Sequence, residues 1–285
     1  MGRSPVMQEE KMHDYYMISK DDLGKNSKVP LKCLGDSETV FCEMAREMAQ
    51  AVKENNAKGK PSVFIVPVGP VGQYPHFVRM VNEERISLKN CWFFNMDEYL
   101  LDEKTKISQD DPLSFIGFME KQVYGRIDPE LTIPPQQRIY PDPADPARGD
   151  KLLESLGGAE YCFGGIGING HLAFNEPQPN ASEEAFLNLP TRVLAISTET
   201  RTANAIGDLG GAIEDMPPYC ISIGFHQIYT ARKIRLGVFR DWHRAVVRRT
   251  AYGEVTPAFP ASFLQRHPDA LISVNDNAAQ AAVIR

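Results

Sequence analysis

This sequence of 285 residues has few cysteines and no long apolar run, and each lack excludes a class of protein. No Cys-x-x-Cys pair occurs and the number of cysteines is odd, which argues against a zinc knuckle and a full disulfide framework. We expect the thiols to be reduced and mostly buried: Cys33, Cys42, Cys91, Cys162 and Cys220. No segment approaches the roughly 18 apolar residues of a membrane span, and the first residues lack the apolar core of a secretion signal. We therefore expect a cytoplasmic protein without a membrane partner.

The sequence also lacks an excess of positive charge. Its net charge is -6, with a hydrophobic fraction of 42% and a charged fraction of 24%, as in an ordinary soluble protein. Nucleic acid is not an expected partner, because no broad basic surface can form. A local basic patch from Arg240 to Arg249 is still suited to a small anion.

The hydrophobic pattern predicts one α/β domain. Residues 1–29 show no sustained period and are interpreted as an extension of a domain that covers residues 30–285. A helix is predicted to begin at Asp36 or Ser37, where a side chain can cap it, and to end at residues 58–60. A later helix is predicted to begin near Asp241 as the N-cap and to end at Gly253.

The strands are predicted from short apolar runs. Residues 62–68 and 91–96 are nearly continuous apolar runs, typical of strands buried on both faces of a parallel sheet. Further strands are predicted at residues 161–163, 192–197, 219–223, 233–239 and 271–274, and a proline-rich surface connection at residues 134–146. Alternation of these strands with helical segments predicts a single-domain, modified Rossmann-like, mostly parallel sheet with helices on both faces.

One glycine-rich loop stands out between residues 164 and 177, with the sequence GGIGINGHLAFNEP. Glycine allows the backbone to approach a ligand closely, so this loop after a buried strand suggests a small-molecule site. His171 could move a proton near neutral pH, and Glu176 could orient its ring. Taken alone, Gly-x-x-Gly-His is more often an ordinary turn with a solvated histidine, so further motifs are needed.

Four segments together supply those motifs: FFNMDEYL at residues 93–100, the glycine-rich loop, TRVLAISTETRTAN at residues 191–204, and FLQRHPDALISV at residues 263–274. In this order they resemble the glucosamine-6-phosphate deaminase family from about residue 30 to the end. The resemblance implies conversion of an amino sugar phosphate to fructose 6-phosphate and ammonia, without a metal or redox cofactor. The expected partner is thus a small-molecule sugar or sugar phosphate, and a homo-oligomer is left open.

The resemblance also implies roles for single residues. His171 matches the histidine that opens the sugar ring, with Glu176 as its orienting partner. Asp97 matches the base that moves a proton from C2 to C1, although an aspartate after a strand can also be a simple helix N-cap. The expected substrate-binding residues are Gly69, Glu98, Gly167, Gly170, Arg192, Arg240, His243 and Arg244.

The sequence departs from the family pattern at two sites. Asn169 stands where the family has an aspartate, which removes one carboxylate that would favour a protonated imidazole. The phosphate loop is Val-Gly-Pro-Val-Gly at residues 68–72, without a hydroxyl and with one amide removed by proline. A family arginine falls on Ile206 and a family lysine on Arg244. We therefore expect an altered phosphate site, with any anion held near Arg240, His243 and Arg244.

Two other functions remain open from the sequence. A hydrolase similar to 6-phosphogluconolactonase would share the Gly-x-Gly-x-Asp-Gly-His pattern, but the MDEY and FNEP motifs argue against it. A sugar-binding or regulatory relative without turnover would explain the loss of the phosphate loop. Ammonia release from amino sugars would separate these three functions.

Overall fold

A computed structural model describes residues 13–282 of the chain. The strands are β1 (Leu31–Cys33), β2 (Ser62–Val66), β3 (Cys91–Asn95), β4 (Asp97–Leu100), β5 (Arg138–Ile139), β6 (Tyr161–Gly164), β7 (Arg192–Ala195), β8 (Tyr219–Ser222), β9 (Lys233–Val238) and β10 (Ala270–Val274). The helices are α1 (Ser37–Ala57), α2 (Gln73–Glu83), α3 (Phe115–Phe118), α4 (Ala147–Ser155), α5 (Glu183–Leu187), α6 (Thr198–Asp208), α7 (Phe225–Tyr229), α8 (His243–Tyr252) and α9 (Asp276–Ala279).

A parallel sheet of seven strands forms the centre, in the order β1-β10-β9-β6-β2-β3-β5. Every residue of β2 is buried, as its continuous apolar sequence predicts. Its side chains alternate between two cores: Val63 and Ile65 pack with α8, whereas Phe64 and Val66 pack with α1 and α2. The predicted parallel sheet with helices on both faces is therefore confirmed.

The prediction failed to separate a second sheet from the first. β4, β8 and β7 form an antiparallel sheet of three strands beside the parallel one. Asp97 lies at the start of β4, not simply beyond the end of a parallel strand, because the chain turns at Met96 into the second sheet. Sequence alone could not assign β4 to this sheet, since its partner β8 lies 119 or more residues away: Leu100 is paired with Tyr219. The proline-rich connection also contains a strand, β5, at the sheet edge.

The predicted helix ends are partly confirmed. α1 begins after Asp36, whose side chain accepts a hydrogen bond from the amide of Thr39 at 2.8 Å. α8 ends at Gly253 as expected, but Asp241 does not cap its start. α8 begins at His243, and the Asp241 carboxylate instead accepts a hydrogen bond from Asn277.

The described part of the predicted extension packs on the domain. Leu23 and Val29 are buried in the same core as α8. Arg248 is fully buried and donates to the carbonyl oxygen of Ile18 through Nε at 3.0 Å. The prediction for residues 1–12 lies outside the described residues. Three of the five cysteines are buried as expected, Cys42 is half-buried and Cys33 is exposed, and all five are free thiols.

Candidate active site

The candidate site lies where chain segments leave the carboxyl ends of neighbouring parallel strands. The glycine-rich loop follows β6, and the loop of residues 67–72 follows β2. These loops touch, since a Cβ atom at Gly165 would lie 3.1 Å from Cδ of Pro70. Ligands of open α/β sheets bind at this edge, so the fold brings the predicted motifs to the expected place.

Two glycines allow the loop to close around His171. A Cβ atom at Gly167 would lie 1.9 Å from Cε1 of the His171 ring, so only glycine leaves room for the imidazole. Gly170 has a φ of +86°, and a Cβ there would lie 2.6 Å from the Phe259 ring. Both glycines predicted to bind substrate therefore shape the loop that holds His171.

The imidazole of His171 has a defined hydrogen-bonding pattern. Its Nδ1 lies 2.8 Å from Oδ1 of Asn169 and 3.2 Å from Oγ1 of Thr200. Since Asn169 Oδ1 can only accept, Nδ1 carries the proton. Burial lowers the pKa of His171, and the nearby Glu176 carboxylate partly opposes this effect. A neutral ring follows from this arrangement, and Nε2, which bonds none of the residues 13–282, can accept a proton.

Asn169 connects the histidine to the carboxylate. Its Nδ2 donates to Oε2 of Glu176 at 2.6 Å, while Glu176 lies 3.8 Å from Nδ1 of His171. The Ser197 amide lies 3.4 Å from Oε1 of Glu176, a long hydrogen bond. The structure therefore brings together His171, Asn169 and Glu176, and the amide fills the space between ring and carboxylate.

Asp97 is buried beside this network, with 6% of its surface exposed. Burial, with a smaller contribution from Glu98, raises the pKa of Asp97 well above its usual value. No hydrogen-bond donor contacts its carboxyl group among the residues that the structure describes. Asp97 pairs with Ser222 across the second sheet, and Ser222 Oγ accepts from the Phe174 amide at 2.9 Å in the glycine-rich loop. The carboxyl group is thus held beside the loop but left free for a ligand.

Glu98, a predicted substrate-binding residue, has both carboxylate oxygens bonded within the protein. Its side chain is completely buried, and Oε2 accepts from the Ser114 hydroxyl at 2.8 Å and the Ile116 amide at 2.9 Å. Oε1 accepts from the amides of Tyr99 and Phe115. Burial raises the pKa of Glu98, and these donors oppose the rise. Both oxygens are used, so Glu98 fixes the start of α3 to β4 and thereby positions Asp97.

Arg192 also acts through a neighbour. Its guanidinium donates to Oδ1 of Asn175 at 2.8 Å and to the Pro190 carbonyl oxygen at 3.2 Å. Asn175 is fully buried and directly precedes Glu176. The structure therefore places Arg192 as a support for the segment that carries Glu176, and its direct contact with substrate stays a prediction.

Of the three residues predicted to bind an anion, His243 and Arg244 are already hydrogen bonded within the protein. His243 is buried with its Nδ1 accepting from the Phe239 and Arg240 amides and Nε2 bonding the Ile166 carbonyl oxygen at 3.0 Å. Burial lowers the pKa of His243 to about 3, so the ring is neutral. Arg244 donates to the carbonyl oxygen of Asn277 at 3.1 Å and to its Oδ1 at 2.5 Å. Arg240 is exposed, and Gly69 lies in the loop after β2.

Sequence reasoning missed three residues that complete the site: Ser197, Thr200 and Ser222. The Ser197 hydroxyl caps α6 and donates to Oγ1 of Thr200, which lies beside His171. Ser197 lies three residues before Thr200 at the start of a helical segment, a spacing that predicts an N-cap. Ser222 had no such local signal, because its partner Phe174 is 48 residues away.

Residues 13–282 offer neither a metal-binding cluster nor a membrane-spanning helix. These residues contain no group of three or more His, Cys, Asp or Glu side chains placed to hold a metal ion. Their helices include none long and apolar enough to cross a membrane.

Comparisons with known proteins agree on one family. No family model matches the sequence. A glucosamine-6-phosphate deaminase of Bacillus velezensis is 30% identical over 242 residues, which cover 83% of this chain and 95% of that relative. The enzyme of the same name from Mycoplasma mycoides is also 30% identical, over 83% of this chain and 92% of the relative.

Solved structures support the same relationship. A monomeric glucosamine-6-phosphate deaminase superposes with a TM-score of 0.76 at 28% identity, over 88% of this chain and 98% of that one. A 6-phosphogluconolactonase from Shewanella baltica has a TM-score of 0.60 at 14% identity, over 87% and 97% of the two chains, and shares the fold.

Proposed function

The chain belongs to the glucosamine-6-phosphate deaminase family, and we propose that it is an aldose-ketose isomerase and deaminase of an amino sugar. The observation that carries this proposal is the chain of hydrogen bonds from His171 through Asn169 to Glu176 beside the buried, unbonded carboxyl group of Asp97. It supplies a neutral imidazole for one proton transfer and a carboxylate of raised pKa for another.

The first chemical step is ring opening. A cyclic aldose opens when the proton of its C1 hydroxyl leaves and a proton reaches the ring oxygen. His171 Nε2 takes the first proton and returns it to the ring oxygen, while Nδ1 stays bonded to Asn169. Glu176 stabilises the imidazolium form that exists during the transfer.

The second step moves a proton between neighbouring carbons. Asp97 takes the proton from C2 of the open aldose and delivers it to C1, while the C1 oxygen gains a proton and the nitrogen loses one, which converts the 2-amino aldose into a 2-imino sugar. Water then adds at C2 and ammonia leaves, so that an amino aldose and one water give a ketose and ammonia. The raised pKa of Asp97 suits a group that must accept a carbon-bound proton and release it again.

An altered phosphate site is part of the proposal. The loop at residues 68–72 has no hydroxyl, His243 is neutral, and Arg244 is hydrogen bonded to Asn277. A phosphate dianion in a cleft needs several free amides or cationic side chains. Of the three predicted anion-binding residues, Arg240 alone keeps an exposed charge.

Three further expectations belong to the proposal. The catalytic domain covers residues 30–285, preceded by an extension at residues 1–29, and the protein acts in the cytoplasm. The first strand starts at Leu31, while Leu23 and Val29 of the extension pack into the core of the domain. The number of copies in the active protein is open to measurement by light scattering.

Product formation from amino sugars tests the proposed function. We expect the purified protein to release ammonia and a ketose in equal amounts from at least one 2-amino aldose. Asp97→Asn should lower that rate about a hundredfold or more, because it removes the base without changing the shape of the side chain. Asp102→Asn, in the exposed turn after β4, is the matched control. A near wild-type rate for Asp97→Asn would refute the assignment.

A further inference from the structure

Thr200 places a buried hydroxyl group against the imidazole of His171. The threonine is fully buried, and its Oγ1 lies 3.2 Å from Nδ1 of the ring. Thr200 belongs to the first turn of α6, where its amide donates to the hydroxyl of the N-cap Ser197 at 3.2 Å. The cap of the helix therefore helps to hold the Thr200 hydroxyl at the ring.

The imidazole has little room to turn away from this hydroxyl. The ring of Phe174 lies nearly parallel to it, with an angle of 16° between the planes and 6.1 Å between the centroids. A Cβ atom at Gly167 would overlap the same imidazole. Packing thus keeps Nδ1 turned toward Asn169 and Thr200.

Nδ1 of His171 has two oxygen neighbours for one proton. Oδ1 of Asn169 lies 2.8 Å away, and its orientation is set by Glu176, which accepts a hydrogen bond from Nδ2 of the same amide. Because an amide oxygen can only accept, the proton is on Nδ1. A hydroxyl oxygen has two lone pairs, so Oγ1 of Thr200 can accept from the Ser197 hydroxyl at 3.1 Å and from Nδ1 at the same time.

A second acceptor matters here because the amide of Asn169 carries no charge. Ring opening makes the imidazole positive for as long as it holds the proton of the sugar. Among residues 13–282, the carboxylate that acts on the ring is Glu176, whose Oε2 lies 3.8 Å from Nδ1. Since a charged donor makes a stronger hydrogen bond than a neutral one, each acceptor on Nδ1 stabilises the imidazolium more than the neutral ring.

From this geometry we propose that Thr200 is a positioning residue for ring opening, whose hydroxyl oxygen is the second acceptor for the Nδ1 proton of His171. It stabilises the imidazolium that forms when Nε2 takes the proton of the sugar hydroxyl. Thr200 thereby supplies part of the stabilisation that the neutral Asn169 does not give. This inference rests on the proposed function and adds a residue to its first step.

Thr200→Val tests the hydroxyl, because valine keeps the branched shape and removes the oxygen. With the cyclic sugar we expect kcat to fall about tenfold with little change in KM, since a hydrogen bond to a charged donor is lost. The rate with an open-chain analogue should stay at the wild-type value, because that substrate needs no ring opening. Thr200→Ser keeps the hydroxyl and should restore most of the rate.

Thr202→Val is the matched control. It makes the same substitution two residues further along α6, where the threonine Oγ1 donates to the carbonyl oxygen of Thr198 at 2.7 Å. Its kcat should equal that of the wild type. Equal losses in Thr200→Val and Thr202→Val, or no recovery in Thr200→Ser, would overturn the inference.

The pKa of His171 separates two possible roles of the hydroxyl by its sign. An acceptor favours the protonated ring, so its loss in Thr200→Val should lower the pKa of His171. A hydroxyl that donated to Nδ1 would favour the neutral ring, and its loss would raise this pKa. NMR titration of the imidazole measures the change, and a raised or unaltered pKa would contradict the assignment.

A double-mutant cycle tests the link to Asn169. Asn169→Asp puts a carboxylate on Nδ1, so in that background Thr200→Val should cost less than about threefold in kcat, because the charged acceptor takes over the proton. A purely structural role of Thr200 would give the same loss in both backgrounds. That result would rule out the proposed compensation.

The two levels of the proposal fail differently. If no amino sugar yields ammonia, the proposed function fails, while the NMR titration, which needs no turnover, still decides the role of Thr200. If ammonia is released but Thr200→Val leaves the pKa of His171 unaltered, the inference fails and the function stands.

Discussion

The side-chain amide of Asn169 donates a hydrogen bond to the carboxylate of Glu176, with 2.6 Å between Nδ2 and Oε2. The carbonyl oxygen of the same amide bonds His171. A neutral side chain can therefore hold the histidine and the glutamate in one orientation, but it adds no charge to favour a protonated imidazole.

Asn169→Asp should raise the pKa of His171, because a second carboxylate near the ring stabilises its protonated form. The acidic limb of kcat/KM should move to higher pH, and an NMR titration of the His171 ring should show the same shift. Asn188→Asp makes the same exchange at an exposed position after α5 and should leave both unchanged. A lower or unaltered pKa in Asn169→Asp would contradict this account of the network.

His171→Gln should slow the cyclic sugar more than an open-chain analogue, because only the cyclic form needs the proton shuttle. The expected difference is about a hundredfold, the usual contribution of a general base. Single-turnover rates with both forms provide the measurement. Equal slowing of the two would remove ring opening as the role of His171.

Asp97→Asn should become more stable relative to the wild type as the pH rises. The pKa of Asp97 is raised in the folded protein well above its usual value, so the folded state holds this proton more tightly than the unfolded state. Wild-type stability is therefore lost as the pH rises from about 4 through the folded pKa, whereas asparagine does not titrate. Urea unfolding at a series of pH values measures the difference.

Asp102→Asn is an informative control, because its stability relative to the wild type should change with pH in the opposite direction. Hydrogen bonds from the amide of Lys104 and from Thr105 lower the pKa of Asp102. Its contribution to stability is present above the unfolded pKa and is lost as the pH falls. Parallel pH dependence of the two variants would argue against a raised pKa at Asp97.

Glu98→Ala should lower the free energy of unfolding by about 3 kcal/mol or more, because it leaves three amides and a hydroxyl without their acceptor in the interior. The expected activity loss follows from displacement of Asp97, so kcat should fall more than KM changes. Glu103→Ala, at an exposed position in the turn after β4, serves as its control. A variant that keeps its unfolding midpoint and loses only substrate affinity would support the predicted binding role and contradict the structural one.

Arg240→Ala and Arg244→Ala should behave differently. Arg244 holds Asn277, so its loss should cost about 1 to 3 kcal/mol of stability, with no selective effect on anionic sugars. Arg240 is exposed, so its loss should leave the unfolding midpoint unchanged and weaken only sugars with a charged carbon-6 substituent. Thermal unfolding and calorimetry with glucosamine and its 6-phosphate separate the two effects.

The sequence by itself determined five of the seven parallel strands, the first helix and the glycine-rich loop. β2 (Ser62–Val66) is predicted from residues 62–68 because burial on both faces requires an unbroken apolar run, which is visible in a few adjacent residues. The glycine-rich loop is equally local. His171, Asn169 and Glu176 lie within eight residues, so their proximity is largely set by the chain itself.

Only the tertiary structure decided which of the charged and titratable side chains are already hydrogen bonded within the protein. Glu98 is used by amides 17 and 18 residues away, His243 by a carbonyl 77 residues away, and Arg244 by Asn277 at a separation of 33. The second sheet likewise depends on pairing of distant segments. A side chain shows its chemistry in the sequence, but whether that chemistry is already satisfied depends on partners that folding brings together, because buried polar groups must find hydrogen bonds wherever the fold provides them.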